Sequence, residues 1–349
     1  MKKIILTFIV FIIFALIIIA PDVCINGASS GLLICGNVII PALFPFSVFV
    51  IFLLNCDVIK NFSFIEILSK KIFNQTSDMF FIMLFSMLGG YPIGARLINQ
   101  LFDNNKISKN DAHIMQCYCV NAGPAFIAVA IGEGILHSKK IGLLMLIAHI
   151  FASFIIATLL KSRIKHNEIK CISKTNTNEE LSEIFVSSTS QAASSILSIC
   201  SFVILFSVIN EYLCVLSNRF SIFKILTILC EVTTSVAKVK NIYLISFLLG
   251  FSGFAVWFQI IACSRSCGLN LPLFIVSRIT HGGLSSLILY IITILFKINV
   301  QTVSNINIDS LSYDFNNIKI VFSLTIMVIM LIISLNGKNR SRKILDDVL

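Results

Sequence analysis

Long uncharged runs alternate with short polar ones along this chain, and the runs have the length of membrane spans. Candidate spans fall at 4–20, 31–54, 78–102, 112–136, 141–160, 190–213, 241–262, 281–298 and 318–336. Each is near the ~20 residues that cross a hydrocarbon core. A weaker run, 220–237, is interrupted by Lys224 and Glu231. Residues 55–77 set Lys60, Glu66, Lys70 and Lys71 among Phe and Ile, the pattern of a helix lying in the membrane interface. The pattern predicts an all-α, polytopic transmembrane protein with about 8 spans plus broken or re-entrant segments.

The longest polar stretch, 161–183, divides the chain into halves of similar length. We therefore expect a signal-anchor helix at 1–30, a first transmembrane half at 31–160, a basic cytoplasmic linker at 161–189 and a second half at 190–349. The two halves share a layout of apolar span, amphipathic stretch, two broken spans and plain span, as repeats in secondary transporters do. Gly90-Tyr91-Pro92-Ile93 and Arg96 line up with Gly253-Phe254-Ala255-Val256 and Gln259, and Asn121-Ala122-Gly123 with His281-Gly282-Gly283. Cytoplasmic placement of both termini and the 161–174 loop needs one re-entrant segment in the first half, most simply 78–102. The second half then needs four crossings, so the parities of a clean inverted repeat do not close.

Composition sets the solvent. Apolar residues are 57% of the chain and charged ones 13%, against about 25% charged in a soluble domain. The net charge of +10 comes from tracts beside apolar runs: Lys2 and Lys3; Lys161, Arg163, Lys165 and Lys170; Lys338, Arg340, Arg342 and Lys343. That placement follows the positive-inside rule. No basic face interleaved with aromatics is present, which argues against nucleic acid. The eleven cysteines lie mostly in apolar runs, and neither Cys117/Cys119 nor Cys263/Cys267 has a second pair at zinc spacing. No metal and no cofactor are expected.

Four signatures carry the candidate chemistry. The first is GGYPIGAR at 89–96. Gly89, Gly90 and Gly94 remove bulk, Pro92 lacks an N–H, and Tyr91 before it is pushed toward extended backbone. The helix should break here, and in lipid a broken backbone must face protein or a water-filled cavity. Its freed N–H groups suit an anion, and Arg96 adds a two-pronged positive charge. The alternative is a glycine-packed kink with Arg96 reaching the interface.

The second is NAGP, Asn121 to Pro124, where Gly123 and Pro124 break a span and Asn121 offers donors and an acceptor; a capped structural kink is the alternative. The third is GFSGFAVWFQ at 250–259, with Gly253, Gln259 and the single tryptophan, Trp257, whose usual place is the interface. Plain helix packing competes with a site there. The fourth is RITHGG, in which Arg278 and His281 share one helical face at the start of the expected 281–298 span. They are either a membrane-boundary pair or part of a solute cavity. Glu133, an acid in an apolar segment, suits a coupling proton, though pairing or boundary placement is preferred. His113, His137 and His149 stand singly and read as structural. P-loop, G-x-S-x-G, H-E-x-x-H and Asp-rich motifs are missing, so neither ATP-driven transport nor an enzyme is expected.

In this order the four signatures resemble the sporulation integral membrane protein family of the YlbJ type, within the wider group with nucleoside-recognition (Gate) domains. The resemblance covers about 30–335 and is most specific at GGYPIGAR, then NAGP with Phe126. Where the family often has Ser before Gly90, this chain has Gly89. The resemblance implies a multi-pass bacterial membrane protein of endospore formation that moves dipicolinic acid, a planar dianion, across the outer forespore membrane. It makes the four signatures a substrate site. The chemistry alone asks for a small anion without choosing dipicolinate. A non-transporting assembly or signalling factor with a Gate-like ligand or partner site is the alternative. The lipid bilayer is the other partner, and the sequence leaves room for a homo-oligomer.

Overall fold

Every regular element among the described residues is a helix. The computed structural model describes residues 2–55, 63–165, 180–239 and 241–298. The expected span 318–336, the basic tract at 338–343, Lys60 and residues 166–179 of the linker lie outside the described residues.

The N-terminal helix α1 (Lys2–Ile19) turns through 105° into α2 (Pro21–Ile34). Pro21 in the first turn of α2 has no N–H to continue the ladder. A wide π turn, Cys35–Ile39, leads to α3 (Ile40–Asn55). Gly27 and Gly31 of α2 lie one turn apart and face the long helix α9 (Leu181–Ser217). A Cβ on Gly27 would sit 2.7 Å from Val208 Cα, and one on Gly31 2.8 Å from Ile204 Cα. Apolar side chains gain little by leaving lipid for one another, so such backbone-close packing is what joins two helices there.

The expected 78–102 run forms two helices, α5 (Ser77–Gly89) and α6 (Tyr91–Asp103), after the short α4 (Ser63–Phe73). Gly90 between them holds φ 87, ψ 172, backbone that only glycine adopts readily. Along a straight helix Ser86 and Gly94 would be about 12 Å apart. A Cβ on Gly94 would instead meet Ser86 Cβ at 2.8 Å. The chain folds back at Gly90, and each 13-residue arm reaches only about 20 Å.

The 112–136 run is also interrupted. Helix α7 (Lys109–Gln116), N-capped by Ser108, gives way to irregular backbone through 117–123, then by way of Pro124 to a π-helical segment, Ala125–Ile135. Helix α8 (Lys139–Leu160) follows as expected. In the second half, α9 is 37 residues long, about 55 Å. Then come α10 (Ile222–Cys230) and α11 (Val232–Lys238), parted at Glu231, and α12 (Ile242–Phe251) and α13 (Gly253–Cys263), parted at Ser252.

The last described helix, α14 (Leu271–Leu295), corrects an expected boundary. Asn270 caps it by accepting from Leu273 N at 3.4 Å, and Pro272 fits the first turn. The helix thus begins ten residues before the expected 281 (271 against 281). Arg278 and His281 are consequently mid-helix, not a boundary pair.

Among the described residues four helical stretches are long and apolar enough to cross a membrane: Lys139–Arg163, Leu181–Ser217, Ile242–Cys263 and Leu271–Leu295. The bent α1–α2 pair makes a fifth if counted as one span. The expectation of about eight is not met among these residues because the 31–54, 78–102 and 112–136 runs are split into pieces too short to cross alone, and 318–336 lies outside them. Exposed Phe151, Leu159, Leu205, Leu287 and Leu295 line the outer faces of α8, α9 and α14, as lipid contact requires. Inside, Cys117, Tyr118 and Cys119 belong to one apolar cluster and Val120 and Ala122 to another. The irregular segment therefore runs between the two main cores.

Candidate functional site

A non-helical segment buried in a membrane protein must find partners for its own backbone. In residues 117–122 the amides of Cys117, Tyr118 and Cys119 donate to Ile114 O and Met115 O, and side chains serve other backbone groups. The guanidinium of Arg278, fully buried on α14, donates from Nη1 to Val120 O at 2.5 Å and from Nη2 to Cys117 O. Tyr118 O accepts from Asn121 Nδ2 at 2.7 Å and from Ser153 Oγ at 2.6 Å. The amide of Ala122 donates to His149 Nε2 at 3.1 Å. Asn121 also reaches back to Ser86 Oγ, 3.2 Å away on α5, and Gln75 donates to Tyr118 OH at 2.9 Å.

The helix breaks meet here. A Cβ on Gly123 would lie 3.0 Å from Leu88 O and 3.3 Å from Gly90 N, so the NAGP segment lies against the GGYP break, backbone to backbone. Tyr91 OH donates to Leu249 O at 2.7 Å, tying that break to the end of α12. Helix α12 crosses α14 at two glycines: a Cβ on Gly250 would sit 2.5 Å from Gly282 Cα. Gly253, at φ 72, abuts the α10–α11 break, where its Cβ would be 3.1 Å from Val232 N.

His149 and His281 form the centre. Their rings are 4.3 Å apart between centroids and inclined at 34°, and His281 Nε2 lies 3.1 Å from His149 O. The partners fix the tautomers. His149 Nε2 accepts from an amide, so its proton is on Nδ1. His281 Nε2 faces a carbonyl, so its proton is there and Nδ1 keeps a lone pair. Both Nδ1 atoms are buried without a partner, as are Arg278 Nε and Asn121 Oδ1. The cluster thus offers two unused donors and two unused acceptors. Phe274 lies under the guanidinium, 5.4 Å from Arg278 Cζ to the ring centroid.

The expected site residues divide. Gly90, Tyr91, Asn121, Gly123, Arg278 and His281 are gathered directly, and Gly94 packs on Cys119 O and Ser86. Gly89 and Pro92 flank the break, and Pro124 caps the π-helical segment. Arg96 does not turn to the break: its Nη1 donates to Gln191 O on α9 at 3.0 Å. Gln259 is buried on α13. Glu133 is on the surface, 3.5 Å from Lys139 Nζ. Trp257, expected at the interface, is buried and donates to Phe251 O at 2.9 Å, because α13 packs inside the bundle. His149, read singly, is paired. A histidine amid an apolar helix is itself a costly placement in lipid, and that signal points to it. Among the described residues no group of three or more His, Cys, Asp or Glu could hold a metal ion.

Fold and site together define the class: an all-helical, multi-pass membrane protein whose interrupted helices converge on a buried polar centre. The chain is similar to the sporulation integral membrane protein YlbJ of Bacillus subtilis (strain 168), 23% identical with 77% of each chain covered. That similarity supports the YlbJ-type family. No family model matches the chain. No solved structure matches it either.

Proposed function

We propose that this protein is a sporulation membrane transporter that carries a small organic dianion, dipicolinate, across the outer forespore membrane. The observation that carries the reading is Arg278: a guanidinium fully buried in the bundle, held on two backbone carbonyls, with Nε free. A charge so placed is expensive in a membrane and marks a solute pathway. Free donors at His149 Nδ1 and Arg278 Nε beside the breaks suit a carboxylate.

We also read the halves as related Gate-type repeats. Gly90 and Gly253 each stand at the head of a broken helix, with φ 87 and φ 72. The other proposed correspondence is weaker, because Asn121 is in irregular backbone and His281 in a helix.

Uptake of labelled dipicolinate by liposomes containing the purified protein tests the reading, with Arg278→Gln as the variant expected to lose it. Spores of a deletion strain should hold little dipicolinate unless it is supplied in the medium. The second reading, a non-transporting assembly or signalling factor, is favoured by the closure of the centre, where Arg278 and His281 are both 0% exposed. No uptake by wild-type protein, together with a stable complex in cells, decides for it.

A further inference from the structure

We infer that the His149–His281 pair is a proton site, loaded together with the anion, so that the protein co-transports a small dicarboxylate and a proton. The inference rests on the transport reading above and adds the coupling ion to it.

The geometry supplies a place for one proton. In the pair as found, His149 Nδ1 carries a hydrogen and His281 Nδ1 carries a lone pair, and neither has a partner. Both Nε2 atoms are committed, one to the Ala122 amide and one to the His149 carbonyl. A proton taken up therefore goes to His281 Nδ1. No other bond changes, and the proton leaves by the same atom.

The surroundings decide when that happens. The ionisable groups around the pair are Arg278 on the same helix, Cys117, Tyr118 and Cys119 in the irregular segment, and Tyr91 at the head of α6. On α12, which packs against α14, Tyr243 bonds to Thr293 at 3.0 Å. The π-helical segment beside α8 carries Glu133, which pairs with Lys139 at the surface. Glu231, a buried carboxylate at the α10–α11 break beside Gly253, stands on the Tyr91 side of the centre, and Arg278 is the fixed cation beside the imidazoles. An imidazolium added beside that guanidinium, in a medium that screens poorly, is opposed by their repulsion. A bound anion reverses the sign. A dicarboxylate against Arg278 Nε and the His149 N–H brings two negative charges, and Arg278 with one imidazolium brings two positive ones. Each ligand then favours the other, and the coupling is reciprocal by thermodynamic necessity. A monoanion is matched by Arg278 alone and gives no such pull on a proton.

Two measurements test this. Purified wild-type protein in weakly buffered detergent is titrated with dipicolinate near neutral pH, while binding and the pH of the solution are followed together. About one proton should be taken up per anion bound, as linkage requires. Binding with no proton uptake overturns the inference. In proteoliposomes loaded with a fluorescent pH indicator, dipicolinate uptake should acidify the interior. His281→Gln, which keeps an N–H for the His149 carbonyl but has no site for a proton, should lose the acidification and weaken dipicolinate binding on the order of tenfold. Acidification retained in that variant also overturns it. Uptake by wild-type protein without acidification removes the proton and leaves the transport reading standing. No uptake at all removes both. The detergent titration needs no variant, so the outcome does not hang on how His281→Gln folds.

Discussion

His281 on α14 reaches across to His149, 132 residues earlier on α8, and the two rings lie 4.3 Å apart between centroids. The contact is placed by glycine. Gly282 follows His281 directly, and α12 passes so close that a Cβ on Gly282 would lie 2.6 Å from Phe247 O. Gly283 has nothing within 4 Å of a built Cβ.

Adjacent glycines therefore predict opposite outcomes. Gly282→Ala should force α12 and α14 apart, at a cost of about 1–3 kcal/mol. Gly283→Ala, in open space within α14, should stabilise by about 0.5–1 kcal/mol. Thermal unfolding of the two variants in detergent distinguishes them, and equal melting temperatures would sink the crossing as described.

Gly90 is held by conformation instead of by space. The nearest atom to its built Cβ is Leu43 Cδ2 at 3.8 Å, yet its φ is 87 and its ψ 172. Gly90→Ala should cost about 1–3 kcal/mol through backbone strain alone. Gly134→Ala, with only Val129 O at 3.7 Å and no positive φ, should cost less. The comparison again reads out as melting temperature.

Removing the His149 ring leaves the Ala122 amide buried and unpaired. His149→Ala should destabilise by about 1–3 kcal/mol on that account. Nitrogen chemical shifts of the wild-type histidines provide a direct check. His149 should be protonated at Nδ1 and His281 at Nε2, and the reverse assignment would remove the hydrogen-bond pattern on which the pair is read.

Arg278→Lys tests the two-pronged grip. A single ammonium cannot hold the carbonyls of Cys117 and Val120 in the same geometry. The 117–123 segment should then loosen, seen as faster amide exchange at Tyr118 to Gly123. Arg96→Lys should leave that segment unchanged, because Arg96 holds a carbonyl on α9.

The site was partly legible for a definable reason. Glycine and proline act on the residues beside them, so the breaks at Gly90 and at Asn121 to Pro124 followed from local chemistry. Arg278 and His281 are marked by their spacing on one helical face, and Asn121 by its donors and acceptor beside a Gly/Pro break. Arg96, one turn from the break, is the residue the sequence favours most for an anion. Only the direction of α6 against α9 sends its side chain to Gln191. His149 was passed over because its partner is on another helix.

What the sequence by itself determined, then, is the solvent of this protein and the places where its helices must stop. Charge-free runs demand lipid, and Pro92 and Pro124, which lack an N–H, favour a helix start where they stand, with Gly90 supplying the turn between α5 and α6. Tertiary structure decided what the stopped helices do with their exposed backbone and where each polar side chain goes. Gly27 and Gly31 on α9, Gly250 on Gly282, Arg278 on the carbonyls of 117 and 120, and His149 on His281 are all contacts between segments distant in sequence. No local periodicity encodes them, because each depends on which helix faces which once lipid has driven every free N–H and C=O to find a partner inside.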